Sequence, residues 1–142
     1  MLEHKLEIKK IKFNTPGVNA GSLVFFEACK DIPFEIKRIY YLYNVPSGQS
    51  RGLHAHKNLR QVFICIHGSC TVMLTDGNTR IETKLSDPAE GLYVEKGLWR
   101  EIYDFSPDAV MVVIASEYYD EDDYIREYDQ YLSYTKEIRG DS

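Results

Sequence analysis

Two histidines one residue apart, His54 and His56, lie in the stretch GQSRGLHAHKNLRQVFICIHG, residues 48–68. Side chains on a β-strand alternate with a period of two, so both imidazoles face the same side. Imidazole titrates nearest to neutrality of all side chains, and such a pair can either hold a metal ion or move protons. The choice turns on what else the site supplies. A divalent metal needs further carboxylate, thiolate or imidazole donors around an open position. Gln61, a neutral amide, follows on the same stretch, and GLYVEKGLWRE sets Arg100 three residues after Gly97. A guanidinium stays protonated at any working pH and repels a divalent cation in the same pocket. These residues therefore favour proton transfer with no metal and no cofactor, and His54, His56 and Arg100 are the candidate catalytic groups. Two imidazoles can serve adjacent carbons while arginine holds developing oxyanion charge, a set suited to keto–enol isomerisation.

Such groups need a scaffold that turns one strand face toward a cavity. Residues 5–115 read as short strands separated by turn residues, the pattern of an all-β sandwich or barrel. QVFICI, SCTVMLT and TRIETKL are divided by His67-Gly68 and Asp76-Gly77-Asn78 and closed by Ser86-Asp87-Pro88, which predicts three consecutive antiparallel strands. IKRIYYLYNV and AVMVVIASEYY supply two more walls, the second apolar enough to be buried on both faces. At Asp120 the pattern changes. DEDD offers capping oxygens, and Tyr124, Ile125, Tyr128, Tyr131 and Leu132 follow at helical spacing, so a helix is expected over about residues 120–136, packed on the barrel or on a second subunit.

Composition narrows the function classes. The 142 residues, 44% of them hydrophobic, are expected to form one domain spanning residues 1–142, with a barrel over about 5–118. Cys29, Cys65 and Cys70 show no metal or redox spacing and read as reduced core residues. No stretch resembles a signal peptide or reaches the ~20 apolar residues of a membrane span, so no membrane partner and a cytoplasmic location are expected. The net charge of −5 is concentrated in residues 117–129, which hold seven acids against Arg126 alone. Nothing resembles a basic stripe or an aromatic RNA-binding signature, so nucleic acid is not an expected partner.

The spacing Gly48-x5-His54-x-His56-x4-Gln61-x6-Gly68 resembles the first cupin motif at every interval, with Gln61 where that motif has glutamate. The resemblance implies an all-β cupin β-barrel of the RmlC-like jelly-roll type with a C-terminal α-helix. RGLHAHK, GLYVEKGLWREIYDFS and VIASEYYDEDDYIREYD together are similar to the nucleotide-sugar 3,4-ketoisomerases of the WxcM-like cupin family, over nearly the whole chain. That family resemblance implies a homodimer acting without metal on a dTDP-linked keto-deoxy sugar. It would convert dTDP-4-keto-6-deoxyglucose to a 3-keto isomer, which an aminotransferase uses to build 3-amino-3,6-dideoxy sugars for surface polysaccharides. It makes His54 and His56 the proton-transfer pair, with His56 assigned to C3 and His54 to C4. Arg38, Tyr40, Arg51 and Lys57 become candidates for the pyrophosphate and sugar hydroxyls, and Gln61 and Trp99 for the sugar site. Arg100 occupies the position where relatives carry histidine or arginine according to the C4 configuration of the product, and arginine leans toward gluco. Ala20 replaces the arginine or tyrosine frequent in relatives, which leaves that configuration open. Two other classes stay in play: a non-catalytic sugar-nucleotide-binding cupin, and a metal-dependent cupin enzyme with a ligand not identified in the sequence.

Overall fold

Strands with one apolar face must bury it, and this chain does so by stacking two five-stranded antiparallel sheets face to face. The computed structural model describes residues 6–18 and 21–140. In the first sheet the order is β1 (Lys9–Lys12), β9 (Glu90–Val94), β6 (Gln61–His67), β11 (Val110–Ala115) and β4 (Arg38–Tyr43). In the second it is β12 (Tyr124–Ile125), β5 (Arg51–His56), β10 (Trp99–Tyr103), β7 (Cys70–Thr75) and β8 (Arg80–Leu85). A two-residue pair, β2 (Gly17–Val18) with β3 (Gly21–Ser22), lies apart from both. Strands adjacent in a sheet are mostly distant in sequence, the interleaving of a jelly roll. Ala20 lies outside the described residues.

Between the sheets, Phe63, Cys65, Cys70, Val72, Leu92 and Met111 form the closed part of the core. The described residues between Phe13 and Ile36 carry little regular structure but lay Phe13, Ile32 and Phe34 over Val62, Ile64 and Ile114 on the outside of the first sheet. β6 and β11 are thus covered on both faces, which is why QVFICI and VMVVIA read as continuous apolar runs. Cys65 and Cys70 are free and buried as expected, whereas Cys29 is exposed. It sits in a turn at φ 63°, outside either sheet, where its apolar neighbours in sequence do not carry it into the core.

The structure corrects two further sequence expectations. β7 and β8 do form a hairpin, but β6 pairs with β9 and β11 and not with β7. His67-Gly68 is a corner between sheets, and a corner and a hairpin need the same turn residues, so the sequence could not separate them. The helix, α1, spans Tyr128–Arg139 and not 120–136. DEDD makes only one 3-10 turn, capped by the Asp120 side chain, after which Tyr124 and Ile125 pair with His56 and Ala55 of β5. The aromatic and β-branched pair at 124–125 prefers an edge strand, and its alternation sends Ile125 outward to Trp99 and Tyr131. α1 packs on the outside of the second sheet, where Tyr131 Oη meets the carbonyls of Thr75 and Gly97 at 3.0 and 2.7 Å. Gly140, at φ 72°, closes it by donating to the carbonyls of Lys136 and Glu137. Among the described residues no helix is long and apolar enough to cross a membrane.

Gly68 tests the corner. Its φ is +70°, and a Cβ there would lie 2.3 Å from Ser106 Oγ and 2.8 Å from the backbone of Ala109. Backbone strain and overpacking together should cost Gly68→Ala roughly 2–4 kcal/mol. Urea denaturation is expected to show that loss, and a midpoint equal to the wild type would mean the corner is not so tightly held.

Candidate active site

The open end of the sandwich holds a cavity of about 400 Å³ whose polar lining includes Arg38, Tyr40, Arg51, His54, Gln61 and Arg100, over a floor of Phe63, Ile102, Met111 and Val113. Strand alternation puts most of these residues there. Arg38, Tyr40 and Leu42 share the inner face of β4, while Ile39, Tyr41 and Tyr43 point outward and are exposed. His54 pairs directly with Arg100 across β5 and β10. Arg51, three residues from His54, should by alternation point away. A bulge brings it in: Arg100 opposes His54 but Ile102 opposes Arg51, so β5 has one extra residue, with Gly52 at φ +69°. A Cβ on Gly52 would approach Ile102 Cδ1 at 3.2 Å, so the bend also needs the missing side chain.

Arg100 is the largest fully buried side chain. Its Nη1 donates a short hydrogen bond to Gln61 Oε1, and its Nη2 donates to the Leu98 carbonyl at 3.2 Å. Its Nε is buried without a partner, and among the described residues no carboxylate forms an ion pair with it. Burial lowers its pKa to about 10, which leaves it cationic at neutral pH. Gln61 Nε2 in turn donates to the Tyr40 hydroxyl at 3.0 Å.

The histidines stand at different depths. His54 lies on the cavity wall, partly buried, whereas His56 is completely buried behind it, with ring centroids 4.7 Å apart edge to face. Tyr124 covers both rings at 5.0 and 4.3 Å. Burial first, and then the charge of Arg100, push the pKa of His54 down to about 3 and that of His56 to about 2, so both rings are neutral at physiological pH. Asp123 fixes the tautomer of His56. Its carboxylate lies 3.2 Å from His56 Nδ1 and accepts from the backbone N–H of Asn58 at 2.7 Å and of Leu59 at 3.3 Å. A carboxylate only accepts, so Nδ1 carries the hydrogen and Nε2 the lone pair, and that Nε2 is buried without a partner.

At the mouth, Arg51 is exposed, and the Arg38 guanidinium lies between the rings of Tyr40 and Tyr119 at 5.4 and 5.7 Å, with Nε and Nη2 buried and unpartnered. Arg126 rests over Tyr124 at 4.2 Å and holds Glu121 through two bonds of 2.8 and 2.9 Å.

Seven of the nine site residues expected from the sequence therefore meet, and two do not. Lys57 is exposed one residue past His56, where alternation turns it away from the cavity. Trp99 precedes Arg100 on β10 and points to the opposite face, where it is buried against Tyr128 and Tyr131 at 5.2 and 5.7 Å and anchors α1. Of the expected proton-transfer pair, His54 lines the cavity and His56 stands behind it. Asp123, Tyr124, Tyr119 and Arg126 were missed, because the acidic run read as a helix start. Their only sequence signal was the alternation of Tyr124 and Ile125 behind DEDD. A metal does not fit this set: among the described residues no three His, Cys, Asp or Glu side chains converge to hold one, and the position opposite the histidines is a guanidinium bound to an amide.

Residues 5–136 match the family described as WxcM-like, C-terminal (FdtA). A TDP-4-oxo-6-deoxy-alpha-D-glucose-3,4-oxoisomerase from Aneurinibacillus thermoaerophilus is 50% identical over 133 residues, which cover 94% of this chain and 96% of that one. The crystal structure of a histidine-to-asparagine mutant of QdtA, a 3,4-ketoisomerase from Thermoanaerobacterium thermosaccharolyticum, in complex with TDP-4-keto-6-deoxyglucose superimposes with a TM-score of 0.89 at 43% identity, over 92% of this chain and 94% of that one. A dTDP-4-dehydrorhamnose 3,5-epimerase from Bacillus anthracis, with a TM-score of 0.70 at 19% identity over 83% of this chain and 77% of that one, shares the fold alone.

The depressed histidines make stability depend on pH. The unfolded side chains protonate near their ordinary pKa of about 6.5, whereas the folded rings resist protonation until about pH 3 and 2. Their contribution is fully present above about pH 6.5 and is lost as pH falls through the window below it, by up to about 1.4 kcal/mol per unit for each ring. Relative to a His54→Asn/His56→Asn variant, the wild type should lose unfolding free energy steadily between pH 6.5 and 4.5. Parallel pH profiles for the two proteins would show that the rings are not held neutral.

Proposed function

Because the chain belongs to the WxcM-like family, we propose that its cavity isomerises a nucleotide-linked 4-keto-6-deoxy sugar to the 3-keto sugar, with dTDP-4-keto-6-deoxyglucose as substrate. It is a sugar 3,4-ketoisomerase. One observation carries the mechanism: the neutral imidazole of His54, backed by that of His56, lines a cavity with a buried guanidinium that no described carboxylate pairs with.

His54, the ring on the wall, takes the proton from C3. The electron pair of that C–H bond becomes the C3–C4 double bond, and the C4 carbonyl oxygen becomes an oxyanion facing Arg100. A unit charge about 4 Å from a guanidinium gains roughly 4 kcal/mol at an effective dielectric of about 20, similar to the measured value of one oxyanion-hole donor. The proton of the C3 hydroxyl passes to the C4 oxyanion, and the electron pair left on O3 forms the C3 ketone as C4 takes the proton from His54. No electrons leave the sugar, and the residues present call for no metal. His56 stands behind His54 and does not line the cavity. Held by Asp123, it keeps an unprotonated Nε2 behind His54 and acts as a positioning residue and proton reserve. Arg38, Arg51 and Arg126 at the mouth receive the diphosphate. That anion offsets the cationic field around His54 and makes it a stronger base when substrate is bound.

The exposed outer row Ile39, Tyr41 and Tyr43 on the edge strand β4 supports a homodimer through that face. Arg100 at the site supports a gluco product for transamination to a 3-amino sugar.

In heavy water with chelator present, the protein should convert dTDP-4-keto-6-deoxyglucose to a 3-keto product and incorporate deuterium at C3 or C4, read by NMR. Binding without exchange would instead identify a non-catalytic sugar-nucleotide protein. His54→Asn is expected to lose at least ~1,000-fold in kcat while retaining TDP binding. Asp123→Asn, which presents an NH2 to Nδ1 and destabilises the required tautomer, should lose about 10- to 100-fold in kcat with KM little changed. Equal loss in both parameters would make Asp123 a fold residue only.

A further inference from the structure

The turn that leads into β10 bonds to two groups of the site. Gly97, at φ +79°, donates its backbone N–H to the His56 carbonyl at 2.7 Å, and one residue further on the Leu98 carbonyl accepts from Arg100 Nη2 at 3.2 Å. The other hydrogen bond of Arg100 goes from Nη1 to Gln61. The direction of the Leu98 carbonyl therefore helps to set the plane of the guanidinium. A glycine at positive φ has no side chain to hold such a turn, so the turn depends on what its peptide groups bond to. From the opposite face of the sheet, Tyr131 Oη donates to the Gly97 carbonyl at 2.7 Å, with the Thr75 carbonyl as a second acceptor at 3.0 Å. Tyr131 stands on α1, is completely buried, and packs against Trp99. Burial raises its pKa, so the hydroxyl keeps its hydrogen for a carbonyl.

We propose that Tyr131 is a positioning residue for the isomerisation: its hydroxyl fixes the Gly97–Leu98 peptide and, through the Leu98 carbonyl, holds the Arg100 guanidinium in the plane that meets the C4 oxyanion. The inference rests on the ketoisomerase reading and gives α1 a part in it. Tyr131 touches neither the sugar nor a moving proton, and no bond is made or broken at it. Two hydrogen bonds pin Gly97, the N–H on His56 and the carbonyl on Tyr131. With the hydroxyl removed, the second is lost and the Gly97–Leu98 peptide is free to rotate. The Leu98 carbonyl, joined to that peptide through one Cα, turns with it and carries Arg100 Nη2 along. A misplacement of about 1 Å at a group that meets the reacting atoms can cost ~100-fold in rate. Arg38 and Arg51 stand on β4 and β5 and do not bond to this turn, so the loss falls on kcat and spares binding of the diphosphate.

The test uses the full chain with chelator present, dTDP-4-keto-6-deoxyglucose for turnover by NMR and TDP for binding by calorimetry. Expressing kcat per TDP-binding site removes any loss of folded protein from the comparison. Tyr131→Phe deletes one oxygen and leaves the ring against Trp99 and Tyr128. It is expected to lose about 10- to 100-fold in kcat, with KM and the Kd for TDP changed less than about threefold. Tyr128→Leu loosens the same packing but keeps the Tyr131 hydroxyl, so its kcat should stay within about threefold of the wild type. Arg100→Lys replaces the planar fork by a point charge with no plane to set, and in that background Tyr131→Phe should change the remaining kcat by less than about threefold. A Tyr131→Phe kcat within about threefold of the wild type, an equal loss in Tyr128→Leu, or an undiminished loss in the Arg100→Lys background would overturn the role of Tyr131 and leave the ketoisomerase reading standing. An inert wild type would overturn both.

Discussion

A buried guanidinium that no carboxylate among the described residues pairs with is the constraint on which the rest of the site depends. Arg100 is completely buried, and its recorded partners are an amide oxygen and a main-chain carbonyl. Desolvating an ion costs several kcal/mol, and proteins ordinarily recover much of that with a counter-ion. Among the described residues no carboxylate forms an ion pair with it, and the proposed reaction would create a counter-charge as an enediolate. The same uncompensated charge helps hold the neighbouring imidazoles neutral, ready to accept a proton. It also fixes the orientation of Gln61, whose NH2 donates to the Tyr40 hydroxyl. One charge therefore adds to burial in keeping the imidazoles neutral, orients the Gln61 amide and sets the sign of the species that the cavity favours.

The scaffold supplies this arrangement through strand geometry. The inner faces of β4, β5, β6 and β10 converge because the two sheets are stacked, and alternation then decides which residues meet. Arg100 and Trp99 show how strict that is. They are neighbours in sequence, yet one faces the chemistry and the other clamps α1 on the far side of the sheet. The bulge at Gly52 is the exception that adds Arg51 to the cavity, since an unbroken strand would have pointed it away.

How much of this was legible in the sequence follows from the range of each signal. The motif from Gly48 to Gly68 and the substitutions at Gln61 and Arg100 identified the barrel, the histidine pair and the chemistry, because each rests on residue type and local spacing. Longer-range features were hidden. The corner at Gly68 has the residues of a hairpin turn, and only the pairing of β6 with β9 and β11 distinguishes the two. Asp123 looked like one of several helix-capping acids, and its role depends on the return of the chain past β5, where its carboxylate meets both His56 and the turn after it. The relative depth of His54 and His56 was hidden as well, because period-two alternation puts both on one face and says nothing about what covers them. Tyr124 and the edge strand that carries it supply that cover.

The site also shows how a metal-binding frame can change its chemistry without changing its fold. In the usual cupin arrangement a glutamate and a third histidine complete a coordination sphere around the first two. Replacing the glutamate by Gln61 removes a negative charge, and placing Arg100 where the third histidine would stand adds a positive one. The cavity then disfavours a cation and favours an anion by the same Coulombic argument. The two histidines keep their strand, face and spacing, and on the proposed reading they act as bases and not as ligands. A second residue pair packs against them: Asp123 holds the His56 hydrogen on Nδ1, and the Tyr124 ring lies against both imidazoles. The proton chemistry of this site therefore depends on the charges around the motif, and a His-x-His pair on a barrel strand identifies a function only when the residues in the positions of the other two ligands are read with it.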